Sequence, residues 1–162
     1  YKPGIEFTFI FANSHGIHNG YESERISSYI RGITTIFDKY NFKHLFLDAL
    51  WIKYNISFEK ILSEVSSKLE GWWKEIPQRE LIEKNASQRN KAHSPEIAAQ
   101  KYYVMRELEK EMFEKDFSGY IFHAFSDSKL QVVLPNMPTL YFYGRDSWSN
   151  APWFVAGEKP QV

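Results

Sequence analysis

The sequence predicts an α/β protein: a mixed sheet with helices packed on it, starting strand–loop–helix and ending in a strand-rich tail. Three observations predict it. A β-branched and aromatic run, Ile5 to Ala12 (IEFTFIFA), opens the chain. Long stretches with apolar residues at spacings of three and four follow. After Gly119 the pattern shortens into strand-like runs divided by Ser, Asp, Pro and Gly. Charge and apolar residues are spread evenly, so residues 1–162 read as a single α/β domain.

In Ile5–Ala12 the side chains Ile5, Phe7, Phe9 and Phe11 alternate with Glu6, Thr8 and Ile10, as a strand requires. The next eight residues, NSHGIHNG, are polar with two glycines and read as a loop. Tyr21–Tyr40 reads as a helix, with Ile26, Tyr29, Ile30, Ile33, Ile36 and Phe37 on one face. His44–Ile52 (HLFLDALWI) fits either a buried strand or the start of a helix, because a short apolar run has no decisive period. Ser57–Trp73 is predicted helical, with Ile61, Leu62, Val65 and Leu69 as its apolar stripe. Glu80–Lys91 is polar enough to be a short exposed helix.

Ser94-Pro95-Glu96 combines a capping side chain, a first-turn proline and a carboxylate at the positive end of the dipole, so a helix starts there. It runs to about Asp116, with Ile97, Lys101, Val104, Met105, Leu108 and Met112 on its inner face and charge on the other. The tail runs are YIFHAF (120–125), LQVVL (130–134), TLYFY (139–143) and PWFVA (152–156).

Composition narrows the function. The 20 basic and 20 acidic side chains balance overall. They also balance locally, with eight of each sign in residues 1–70, nine in 71–120 and three in 121–162. Nucleic-acid binders concentrate basic charge against phosphates, so no nucleic-acid partner is expected. No apolar run approaches the roughly 20 residues that span a bilayer, so no membrane partner is expected either. The absence of cysteine removes thiol catalysis, thiolate metal sites and disulfides. A soluble, cytoplasmic, bacterial protein is the expectation.

The richest candidate site is the stretch after the first strand. Ligands of open α/β sheets bind beyond the carboxyl ends of strands. A helix start there offers free N–H groups to an anion. Gly16 would let the backbone approach a ligand. His15 and His18 suit acid–base work near neutral pH. Arg25 could grip an anionic substrate in bidentate fashion. Asn13, Ser14, Gly16, Tyr21, Glu22 and Arg25 are the expected substrate-binding residues, with His15 and His18 catalytic. The plainer reading is a polar turn whose Asn and Gly residues satisfy awkward dihedrals.

Two alternatives use the same residues. His15, His18 and Glu22 have the spacing of a His₂–carboxylate metal set. The His15–His18 spacing also resembles the H-x-G-H motif of nucleotidylyltransferases and class I aminoacyl-tRNA synthetases. Ile17 stands where those families need glycine, and membership is not assigned.

Two further stretches are weaker. Asn85, Arg89 and His93 would share a helix face at i, i+4 and i+8. Arg89-Asn90-Lys91-Ala92-His93 is similar to the R-N-x-x-x-H motif of HEPN ribonucleases, one residue short; a solvated helix face is the plainer reading. In the tail, Tyr141, Tyr143, Arg145, Asp146, Trp148, Trp153 and Phe154 could stack on sugars or bases, or simply fill a core. His123, with Asp127 nearby, reads as a satisfied core histidine.

The function expected is an enzyme acting on a small anionic, phosphorylated or nucleotide-like substrate at a phosphate-binding loop over 13–22, as a hydrolase or group transferase. No cofactor follows from the sequence. The alternative is a non-catalytic protein-interaction domain, such as a small bacterial immunity or adaptor protein, which would expose a contiguous apolar surface.

Overall fold

The computed structural model describes residues 4, 6–90, 93–124, 128–141 and 153–155. Among the described residues it is mostly helical, and the strands form two small sheets where one mixed sheet was expected. The chain packs as two compact units: Tyr1–Phe58 with Arg89–Ala92, and Glu59–Gln88 with His93–Val162.

In the first unit, β1 (Thr8–Phe11) pairs in parallel with β2 (Lys43–Phe46). Parallel strands need a crossover. Here α1 (Asn13–His18) and α2 (Ser23–Lys39) supply it. The ambiguous run at 44–52 is both things in turn, because β2 passes directly into α3 (Leu47–Lys53). Phe37 of α2 meets the sheet edge-on, 4.7 Å from Phe9 and 5.1 Å from Phe11 between ring centroids. Phe11 also lies 5.6 Å from its partner in register, Phe46.

All three helices of this unit end the same way. Gly20, Asn41 and Asn55 adopt left-handed φ values of 82°, 52° and 51°. The following N–H turns back to close each helix: Tyr21 to Gly16 O at 3.1 Å, Phe42 to Phe37 O at 2.9 Å, and Ile56 to Trp51 O at 2.8 Å. These are Schellman ends, and the end of α2 carries the apolar contact that accompanies the motif. Phe37 meets Phe42 at 5.5 Å, while Trp51 and Ile56 are both buried.

The second unit contains α4 from Glu59 onward (helix Phe58–Ser67), a 3-10 turn at Trp72–Glu75, α5 (Arg79–Arg89) and α6 (Pro95–Asp116). Of the stripe expected on α4, Ile61 alone is fully buried, whereas Leu62 and Leu69 are exposed. The helix stops before Leu69, so the stripe loses its register. By contrast α5 is no exposed helix: Ile82 and Ala86 join Trp73, Ala98, Ala99, Leu130 and Val133 in the core.

Helix α6 starts as expected, with Ser94 Oγ accepting from Ile97 N at 3.3 Å. Its inner face is shifted from the expected one. Ile97 is exposed, while Arg106 and Glu109 are buried beside Val104, Met105, Met112 and Phe113. Those two charges pair at 2.5 Å. Burial alone would lower the Arg106 pKa, but the Glu109 carboxylate, with Tyr102, outweighs it and holds the guanidinium above its ordinary value.

The expected strand at 130–134 is a 3-10 turn, Ser128–Val133. Its backbone, and that of Asn136 just beyond it, is held by side chains of α6, one turn apart. Arg106 Nε donates to Val133 O at 3.2 Å, Lys110 Nζ donates to Val132 O, and Glu114 Oε1 accepts from Asn136 N at 2.6 Å. Buried backbone groups must be paired, and these charged side chains do what a neighbouring strand would otherwise do. The remaining described tail is β3 (Phe122–Ala124), parallel to β4 (Thr139–Tyr141), with β5 (Trp153–Val155) antiparallel to β4. Each is three residues long.

Removing one member of a buried ion pair strands the other charge. Arg106→Ala and Glu109→Ala are each expected to cost about 3–5 kcal/mol in urea unfolding. The double variant Arg106→Met/Glu109→Leu should cost clearly less than the two single losses added together. Gly20→Ala should cost about 1–2 kcal/mol, because alanine resists the left-handed conformation. Asn41→Gly should leave stability within a few tenths of a kcal/mol or raise it.

Candidate functional site

The stretch expected to be a phosphate-binding loop is a helix. Residues Asn13–His18 form α1, and only Asn19–Glu22 connect it to α2. The second of the two glycines that suggested a loop closes the helix, with Gly20 supplying the left-handed residue. Gly16 has a different task from the one expected. A Cβ there would come within 2.9 Å of Ile26 Cδ1 and 3.2 Å of its Cγ1. Glycine therefore lets α1 lie close against α2, and its use is packing.

What the structure brings together is the carboxyl end of the strand pair. Phe11 and Phe46 are in register, and Asn13 and Asp48 each stand two residues beyond them. The Asp48 N–H donates to Asn13 Oδ1 at 3.2 Å. The Asp48 carboxylate accepts from Ala49 N at 2.7 Å and remains exposed. Ser14, next to Asn13, is buried.

The two histidines are half-buried and held by aromatic rings. His15 lies 6.4 Å from Trp51 between centroids, with the rings inclined by 55°. His18 stacks on Phe58 at 5.8 Å and 14°. Trp51 and Phe58 meet edge-on at 5.4 Å, so the four rings are linked through that pair. Asn90, itself buried, donates from Nδ2 to His18 O at 3.5 Å.

Asp48, Trp51 and Phe58 were not among the sequence-derived candidates, and Asn90 was one only within the Arg89–His93 stretch. Asp48 had a readable signal, a polar residue just past an apolar strand-like run, as Asn13 is. Phe58 is distant in sequence from α1 and had none, and nothing in the Arg89–His93 stretch tied Asn90 to α1.

Tyr21, Glu22 and Arg25 lie at the start of α2 and are exposed. The Arg25 guanidinium sits over the Tyr21 ring, 5.5 Å from its centroid. Glu22 occupies the N-cap position without a side-chain capping bond, and Glu24 is in the first turn. Two carboxylates thus already complement the dipole of α2.

The metal set His15–His18–Glu22 does not assemble: among the described residues, no three His, Asp or Glu side chains are grouped as a metal ion requires. The shared face of Asn85, Arg89 and His93 is also broken. Helix α5 stops at Arg89, Asn90 is already outside it, and His93 follows in a bend. Asn85 Nδ2 donates to Leu81 O at 3.0 Å, and His93 Nε2 is 3.1 Å from Lys101 Nζ. His123 is on β3 with an exposed side chain, so it is not a core histidine.

Asp127, Tyr143, Arg145, Asp146 and Trp148 lie outside the described residues. Tyr141 pairs in register with Trp153, and Phe154 with Leu140. Among the described residues, no helix is long and apolar enough to cross a membrane. No protein family, curated protein or solved structure gives a significant match to this chain.

The packing role of Gly16 can be checked directly. Gly16→Val should destabilise by about 1–3 kcal/mol in thermal or urea unfolding, the range for overpacking. Ile26→Ala on that background should recover part of the loss. A Gly16→Val variant as stable as the parent would contradict the close α1–α2 approach.

Proposed function

We propose that the chain binds a small anionic molecule, phosphorylated or nucleotide-like, at the carboxyl ends of β1 and β2, and acts on it as a hydrolase or group transferase. The supporting observation is the Asp48–Asn13 hydrogen bond. It fastens together the two points where parallel strands give way to helices, the position at which α/β sheets bind ligands. Around it stand Ser14, His15 and, one turn further, His18.

In this reading His15 and His18 transfer protons or stabilise developing negative charge. Trp51 and Phe58 lie beside their rings. Asn13, Ser14, Gly16, Tyr21 and Glu22 form the surroundings of the substrate, with Gly16 contributing by holding α1 in place. Because Glu22 and Glu24 occupy the start of α2, recognition of negative charge falls to Arg25. Arg25 is exposed and would leave or keep its place over Tyr21 at little cost, since exposed cation–π contacts are worth about 0.5–1 kcal/mol. A cytoplasmic setting fits the absence of cysteine.

Calorimetric titration with inorganic phosphate, a sugar phosphate and adenosine monophosphate tests the reading. At least one should bind, and Arg25→Ala should weaken it by about 1.5–3 kcal/mol, the range for hydrogen bonds to charged groups. The variant should retain the melting temperature of the parent. Failure of all three probes to bind, or undiminished binding by the variant, overturns the proposal.

A second reading, a non-catalytic protein-interaction domain such as a small bacterial immunity or adaptor protein, is favoured by a different observation. Phe7, Phe9, Tyr40 and Phe42 are exposed and adjoin one another, with centroids 6.5 Å apart for Phe7–Phe9, 5.7 Å for Phe9–Phe42 and 6.1 Å for Tyr40–Phe42. Contiguous exposed apolar surface marks interaction sites. An apolar fluorescent dye should bind the native protein, and Phe7→Ser/Phe42→Ser should reduce that signal with the fold retained. Dye binding that appears only on unfolding would remove this reading.

A further inference from the structure

We draw no further inference here: the strongest candidate, the exposed aromatic surface formed by Phe7, Phe9, Tyr40 and Phe42 on the β1–α2–β2 unit, carries nothing because nothing in the structure shows what covers it.

Discussion

Two parallel strands cannot be joined by a tight turn, and the first unit is organised by that constraint. The chain leaving Phe11 must travel back along the sheet before Lys43 can pair with Thr8. It does so through α1 and the longer α2, and the turn between them has to be sharp. Gly20 makes the turn and Gly16 removes the side chain that would hold α1 away from Ile26. Because both strands run the same way, both end at the same edge. Asn13 and Asp48 therefore meet without either having evolved a long reach. The candidate site is a consequence of strand direction more than of any single motif.

The second unit solves a different problem. The segment around 128–137 is rich in apolar residues yet is neither strand nor long helix. Burying Leu130, Val133, Leu134 and Met137 takes their backbone amides and carbonyls along. From α6, Arg106 meets the Val133 carbonyl, Lys110 the adjoining Val132 carbonyl and Glu114 the Asn136 N–H, and Arg106 is in turn neutralised by Glu109. A buried ion pair stabilises little in net terms, since desolvation offsets attraction. Its effect here is positional, because Arg106 serves both the carboxylate and the Val133 carbonyl. Nearby, burial and then the charge of Glu107 raise the Tyr103 pKa above its ordinary value, and the Tyr103 ring lies against Trp72 and Trp73.

The two units also differ in how they use aromatic rings. In the second, Trp73 is buried and its indole N–H donates to Glu83 Oε1 at 2.7 Å. In the first, α2 has no fully buried residue, and several rings of the sheet and its flanks stay exposed. Parallel strands are usually covered on both faces. The first unit therefore combines a polar edge with an exposed aromatic surface, and the two proposed readings rest on those separate features.

The sequence by itself determined the features that depend on neighbours along the chain. The strand at Thr8–Phe11, the helix at Ser23–Lys39 and the Ser94-Pro95 start of α6 follow from alternation, helical period and capping chemistry, which are local. The place of the polar stretch after the first strand was legible for the same reason. Its form was not. NSHGIHNG reads as a loop because its residues are polar, yet it is a helix whose packing depends on Ile26. Residues 130–134 read as a strand because Leu and Val are strand formers, yet the partners offered there are side chains of α6 rather than another strand. Likewise Arg106 and Glu109 look like a solvated helix face until each is seen to be buried with the other as partner. In every such case the outcome turned on which group stood opposite. Pairing across space, not the period along the chain, satisfies a buried polar group, and only the tertiary structure supplies the partner.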